Sequence, residues 1–347
     1  MLYTTVMETY TGTFKTELFT YPIFDEYFRG MSFSCFDIET LGLSPSRAPV
    51  ILAGFLDVDP DGNAVNTQYY TETPEDEAKL LLATVKKLNS VDIVVTYNGR
   101  SFDLPYIAKR YSMIFGEVPR ISAFDLDLYQ LVRCGSFLKG VLTGLSQKDV
   151  ERYMGVNEER EDEISGAESV RLYQEAVLET DPVIKRSARD KILLHNSDDV
   201  AQLYRILPIV RQCDLHKAFA LKGYPVMRSS LTNTLIPRRL TITRNRLASG
   251  KLTIQGTYPG NPICYISYPA IGSPFDVRFK ADGTFEIIMP VETRSGAVFC
   301  DLSEFLNDDG EFIGYGGYVN GYLILKEKGE LNYREINALA RKIVQIV

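Results

Sequence analysis

The chain has 347 residues, 45% of them apolar and 24% charged, with a formal net charge of −7. That length exceeds a typical single domain and that apolar share can fill two cores, so two domains are expected. The first 20 residues carry Glu8, Lys15 and Glu17 without a signal-peptide core, and no stretch reaches the ~18 apolar residues of a membrane span, so a soluble, cytoplasmic protein without a membrane partner is expected.

Residues 1–30 read as a leader that adds a strand or packs against the core. Phe36-Asp37-Ile38-Glu39-Thr40 follows on an apolar strand, where a period of two puts Phe33, Cys35, Asp37 and Glu39 on one side and Ser34, Phe36 and Ile38 on the other. Two neighbouring acids on a largely buried strand repel each other and lose hydration, and a divalent metal is the usual reason to keep such a pair. The alternative is a strand end running into a solvated turn.

Val50 to Val58 and Ala64 to Thr71 form a predicted hairpin about Asp59-Pro60-Asp61-Gly62-Asn63. Thr73 as N-cap, Pro74 at the first helical position and Glu75, Asp76 and Glu77 behind it predict a helix. Its stripe Leu80, Leu81, Val85 and Leu88 would face the sheet. The apolar run from Asp92 to Thr96 leaves through Asn98-Gly99 into a helix opened by Asp103; Arg100, in the same turn, is either a phosphate contact or plain surface.

Residues 145–211 read as mostly helical, with Glu158-Glu159-Arg160-Glu161-Asp162-Glu163 as a solvated connection. His195 and Asp199 stand four apart on one helix face. Asp198 competes with Asp199; the spacing to His195 and the adjacent core stripe Val200, Leu203 and Leu207 favour Asp199.

From residue 212 the texture becomes β-rich, with short runs from Leu240 to Asp301, another at Tyr318 to Leu325, and a closing amphipathic helix marked by Ile336, Leu339, Ile343 and Ile346. A small barrel or sandwich is expected there. Leu215 to Phe275 contains no acid but holds Lys217, Lys222, Arg228, Arg238, Arg239, Arg244, Arg246 and Lys251, which suggests a polyanion-binding surface beside an acidic body. Phe219, Tyr224, Tyr258, Tyr265, Tyr268 and Phe275 are interleaved with these bases, as stacking platforms for unpaired bases or as core residues of the β-fold. Cys35, Cys134, Cys213, Cys264 and Cys300 are scattered without a Cys-x-x-Cys pair, which argues for buried thiols in a reducing compartment and against structural zinc.

The order Asp-x-Glu, Asn-Gly-x-x-Phe-Asp, then His195 before Asp199 resembles the DEDD superfamily of 3′-5′ exonucleases. Phe36 to Leu43, Asn98 to Pro105, Asp127 to Arg133, Leu145 to Gly155, Ile164-Ser165-Gly166 and His195 to Val200 resemble its YprB-type ribonuclease H-like branch. The resemblance covers about residues 30–211 and implies a ribonuclease H-like mixed α/β sheet flanked by helices over residues 31–211, followed by a β-rich domain over 212–347. It further implies that Asp37, Glu39, Asp103 and Asp199 hold two Mg²⁺ or Mn²⁺ ions for phosphodiester hydrolysis.

The family's Tyr subclass places its water-orienting residue four before the last Asp and the His subclass five before; here a His occupies the four-before position. His195 is expected either to orient or deprotonate the attacking water, or to cap or pack the helix. Asn98, Arg238, Arg239, Arg244 and Arg246 are the candidate contacts to single-stranded nucleic acid. The competing readings are a non-catalytic nucleic-acid-binding protein on the same fold, and a ribonuclease H-like endonuclease or recombinase, which arranges its acids differently.

Overall fold

The computed structural model describes residues 7–157, 160–161, 164–228, 235–267, 274–306 and 309–347. The first unit comprises residues up to Asp25 together with Arg29–Cys213; Glu26–Phe28 and Asp214–Val347 form the second. Glu158, Glu159, Asp162 and Glu163 of the acidic connection, and Tyr268, lie outside the described residues.

The leader supplies β1 (Met7–Lys15) and then α1 (Pro22–Phe28). β2 (Phe33–Thr40), β3 (Val50–Val58) and β4 (Asn63–Thr71) follow, with the predicted hairpin in place between the last two. α2 (Glu77–Leu88), β5 (Ile93–Thr96), α3 (Asp103–Phe115) and β6 (Phe124–Asp127) complete a six-stranded sheet of order β1-β4-β3-β2-β5-β6. Its β1 to β2 half is antiparallel, whereas β2, β5 and β6 run parallel. Only the parallel strands bring their carboxyl ends to one edge, and the candidate acids Asp37, Glu39 and Asp103 lie on β2 and at the α3 start beyond β5.

The period-two reading of β2 predicts two chemically different faces. Phe36 and Ile38 enter a core with Val50, Phe55, Leu80, Leu81, Leu88, Tyr106 and Ile107. Each fully buried aliphatic or aromatic side chain contributes about 1.5–3 kcal/mol there. The start of the α2 helix differs from the expectation: Pro74–Asp76 is a separate 3-10 turn, and Thr73 makes no side-chain cap bond. Glu77 instead turns inward, accepting from the Val50 amide at 2.8 Å and pairing with Arg110.

The opposite face of β2 is covered by helices. α4 (Leu128–Gly135), α5 (Gln147–Met154), α6 (Gly166–Leu178) and α7 (Pro182–Arg205) follow in order, and α7 packs on β2 and β3. Its capping is local: Asp181 accepts from the Val183 amide at 2.8 Å ahead of Pro182.

In the second unit α8 (Leu215–Lys222) and β7 (Tyr224–Met227) come first, neither of them expected from the sequence. β8 (Arg239–Ala248), β9 (Lys251–Thr257), β10 (Tyr265–Ser267), β11 (Asp276–Phe279) and β12 (Thr284–Pro290) join β7 in an antiparallel sheet ordered β10-β11-β12-β9-β8-β7. β13 (Glu292–Arg294), β14 (Ala297–Asp301), β15 (Tyr318–Val319), β16 (Tyr322–Glu327) and β17 (Glu330–Leu331) make a second one. α9 (Tyr333–Ile346) is the expected closing helix, with Ile336, Leu339 and Ile343 buried and Ile346 partly exposed at its end.

Asn337 on α9 organises a buried polar network, donating to Tyr27 Oη at 2.9 Å and to the His216 carbonyl at 2.8 Å. His216, whose Nδ1 lies 2.8 Å from Tyr27 Oη, is thereby a structural histidine. Phe219, Tyr224, Tyr258 and Phe275 are buried as well, so these four aromatics are core residues and not stacking platforms. The cysteines form no disulfide; Cys35, Cys213 and Cys300 are buried as expected, while Cys264 is exposed. Among the described residues no helix is long and apolar enough to cross a membrane.

Candidate metal and catalytic site

β2 carries Asp37 and Glu39 toward α7, and Asp103 begins α3 just beyond the carboxyl end of β5. The backbone between β5 and α3 needs two special residues. Asn98 takes a left-handed φ of 64°, and a Cβ on Gly99 would overlap the Thr96 side chain. Asp127, at the end of β6, clasps this turn by accepting from the Asn98 amide at 2.9 Å and the Arg100 amide at 3.3 Å. Asp103 then accepts from the Ile38 amide at 3.3 Å, which ties its carboxylate to β2.

The carboxylates act on one another. Burial lifts Asp37 well above the ordinary carboxylate range, and the charges of Asp103, Asp199 and Glu39 add to the effect. Burial likewise pushes Glu39 up to about 7, with His195 opposing and Asp199 reinforcing the shift. Asp103 is pushed up to about 7 by burial, helped by Asp125 and Asp127 against two backbone hydrogen bonds. β2 and the start of α3 thus hold acids that are costly as anions without a compensating cation.

His195 Nε2 lies 3.7 Å from Glu39 Oε1 and 3.6 Å from Asp199 Oδ2, one turn along α7. Among the described residues, Glu39, His195 and Asp199 offer ligand atoms all within 4.8 Å of one another. Asp37 and Asp103 lie outside that tightest group and join it through their charges. Asp198 is turned elsewhere, accepting from the Glu161 amide at 2.6 Å. The donors are hard oxygens plus one imidazole, a set that fits Mg²⁺ or Mn²⁺.

Several participants were not anticipated as such. Asn196 donates from Nδ2 to Asp37 Oδ2 at 3.0 Å and accepts from Gln68 Nε2 at 3.0 Å. Gly54 on β3 makes room for it, since a Cβ there would overlap the Asn196 amide. Asp125 is pushed up to about 7 by burial; its Oδ1 accepts from Thr96 at 2.7 Å, and its Oδ2 has no hydrogen-bond partner among the described residues. Asp125-Leu126-Asp127 repeats the acid-x-acid pattern of β2 on a second strand, a signal that the sequence does contain.

Arg160 corrects an expectation. The connection it belongs to reads as solvated, yet its side chain is only 10% exposed and pairs with Glu151 and Asp199. Nothing in the spacing marks this residue, because its partners come from α5 and α7.

The candidate nucleic-acid contacts are placed as follows. Arg238, Arg244 and Arg246 are exposed in the second unit, and Arg239 is partly buried there. A register shift between Ile242 and Arg244 lets β8 turn both later arginines outward. Arg228 departs from the expected surface: it is 3% exposed and donates to the Ile236 carbonyl at 2.9 Å.

A sequence model described as the RNase H superfamily matches residues 34–210, half of the chain, and the chain belongs to that superfamily. A DNA polymerase of Pyrococcus glycovorans is 33% identical over 94 residues, 24% of this chain and 12% of that polymerase. Among solved structures, the family B DNA polymerase of Pyrobaculum calidifontis is similar with a TM-score of 0.39 at 19% identity, over 55% of this chain and 28% of the other. E. coli Exonuclease I in complex with a dT13 oligonucleotide is similar with a TM-score of 0.28 at 14% identity, over 65% of this chain and 55% of that one. The chain therefore spans well under two thirds of each of these relatives.

Proposed function

We propose that this chain is a metal-dependent nuclease of the DEDD type that hydrolyses phosphodiester bonds of single-stranded nucleic acid from the 3′ end. The observation that carries the reading is the convergence of Asp37, Glu39, Asp103 and Asp199 from three segments, close enough that Asp103, Asp199 and Glu39 each raise the Asp37 carboxyl. Membership of the RNase H superfamily supports a nuclease independently of that geometry.

In this reading Asp37, Glu39, Asp103 and Asp199 hold two Mg²⁺ or Mn²⁺ ions. When bound, these supply charge neutralisation at the attacked phosphate and ease the ionisation of water. The chain's own groups do the rest. Asn196 fixes Asp37 through its amide, and Asp127 fixes the Asn98 turn from which Asp103 projects. His195 accepts the proton of the attacking water as the new P–O bond forms; the P–O3′ bond breaks, and the departing oxygen takes up a proton from solvent. Arg238, Arg239, Arg244 and Arg246 bind the backbone of the strand electrostatically.

The test is incubation of 3′- and 5′-labelled single-stranded DNA and RNA with Mg²⁺, Mn²⁺ or EDTA. A ladder shortening from the 3′ end, dependent on metal and lost in Asp37→Asn, is expected. Binding without cleavage under either metal would leave the non-catalytic reading in its place.

A further inference from the structure

Asp199 differs from Asp37 and Asp103 in its support. Asp37 and Asp103 hang from a strand and a helix start and are tied by an Asn amide and a backbone amide. Asp199 stands on a long helix with its side chain 20% exposed, free in principle to turn about two torsions. Among the described residues, the side chain that donates hydrogen bonds to it is that of Arg160. Arg160 Nη2 reaches Asp199 Oδ1 at 2.7 Å and Glu151 Oε1 at 2.7 Å, while Arg160 Nε meets Glu151 Oε2 at 2.7 Å. Glu151 is 1% exposed and Arg160 10%, so the fork is held in a dry setting.

We propose that Arg160, anchored by Glu151, is the positioning residue that sets the Asp199 carboxylate for cation binding, an inference that rests on the metal-dependent reading above. With Oδ1 engaged by the guanidinium, Oδ2 is the oxygen directed at His195, 3.6 Å away, and so toward the Glu39 side of the site. The planar fork suits this task, because one guanidinium fixes the angle of two carboxylates at once. Glu151 has a second use: by pairing with Arg160 it balances a positive charge that would otherwise disfavour a cation at the neighbouring carboxylates.

A purely structural role is the rival, and Gln147 shows what it would look like. Its Nε2 bonds Glu151 Oε1 at 3.1 Å and the Asp199 carbonyl at 3.0 Å, which already links α5 to α7 without the fork. A buried ion pair is moreover a poor stabiliser, since an uncharged replacement of similar shape is often neutral.

The experiment is calorimetric titration of the full chain with Mn²⁺, comparing wild type, Glu151→Gln/Arg160→Gln, Arg160→Lys and Asp199→Ala. The double variant removes one charge of each sign, so to first order its effect on a cation is geometric. Its Mn²⁺ Kd is expected to rise about 10-fold or more, as for other groups that orient a ligand, with Arg160→Lys recovering part of the loss. A Kd within a factor of about two of wild type in the folded double variant overturns the inference. Should that variant fail to fold, an unchanged Kd in Arg160→Lys overturns it instead. If Asp199→Ala itself binds Mn²⁺ like wild type, the metal-site reading falls and the Arg160 inference with it; if only Asp199→Ala loses affinity, the Arg160 inference alone falls.

Discussion

At position 195 an imidazole nitrogen sits between two carboxylates, 3.7 Å from Glu39 and 3.6 Å from Asp199, in a setting only 4% exposed. A ring so placed is positioned for the proton-accepting role proposed above, so His195→Ala is expected to lower turnover by about 10²–10⁴-fold. His195→Tyr, which restores the usual residue at this spacing, should keep substantial activity; steady-state kinetics on a labelled oligonucleotide decides, and an Ala rate near wild type would make the ring structural. The acids make a separate prediction. A carboxyl whose folded pKa is raised binds its proton more tightly in the native state. Its stabilisation is therefore full below the unfolded pKa of about 4 and is lost as pH rises through the folded value. Glu39, Asp103 and Asp125, each pushed up to about 7, place that loss between about pH 4 and about 7. Thermal melts in EDTA should show these groups lowering the midpoint across that window. Mn²⁺ should raise the midpoint most at the upper end, because the metal takes the deprotonated form.

At the scale of elements, the site depends on how closely α7 meets the sheet. Gly54 on β3 lies under Asn196, the residue that holds Asp37. Gly54→Ala should therefore cost about 1–3 kcal/mol by overpacking and displace the Asn196 amide, lowering cleavage as well. In the double variant with Asn196→Ala, stability should largely return while activity stays low, since the clash is relieved but Asp37 remains unsupported. Urea titrations alongside rate measurements separate the two; a Gly54→Ala protein with wild-type midpoint and rate would show that the backbone gives way freely. Asp127 makes the parallel case for the Asn98 turn, which it holds by two amides.

For the whole molecule the proposed function raises the question of where a single strand would bind. Reversing the charges of Arg238, Arg239, Arg244 and Arg246 is expected to weaken single-strand binding and to flatten its dependence on salt, by up to about 3 in the logarithmic slope if all four meet phosphates. Fluorescence anisotropy over a salt series checks this, and an unchanged slope would assign these arginines to solubility or a protein partner. Arg228 is left out of that set because it is buried.

Much of this was legible in the chain itself, because it rests on local rules. Period two separated Phe36 and Ile38 from Asp37 and Glu39, and the hairpin, the α2 stripe, the Asp103 helix entry and the His195 to Asp199 turn follow from spacing and turn chemistry alone. What tertiary structure decided are contacts between residues far apart in sequence, which no periodicity encodes. Glu77, still in the first turn of α2, gives its side chain to Arg110 and the Val50 amide, and Arg160 leaves an apparently solvated run to bridge Glu151 and Asp199. Gly54 is required by Asn196, far along the chain. The aromatics of the second unit went to its core for the same reason, since burial of a ring is settled by which strands pair and not by the basic residues beside it in sequence.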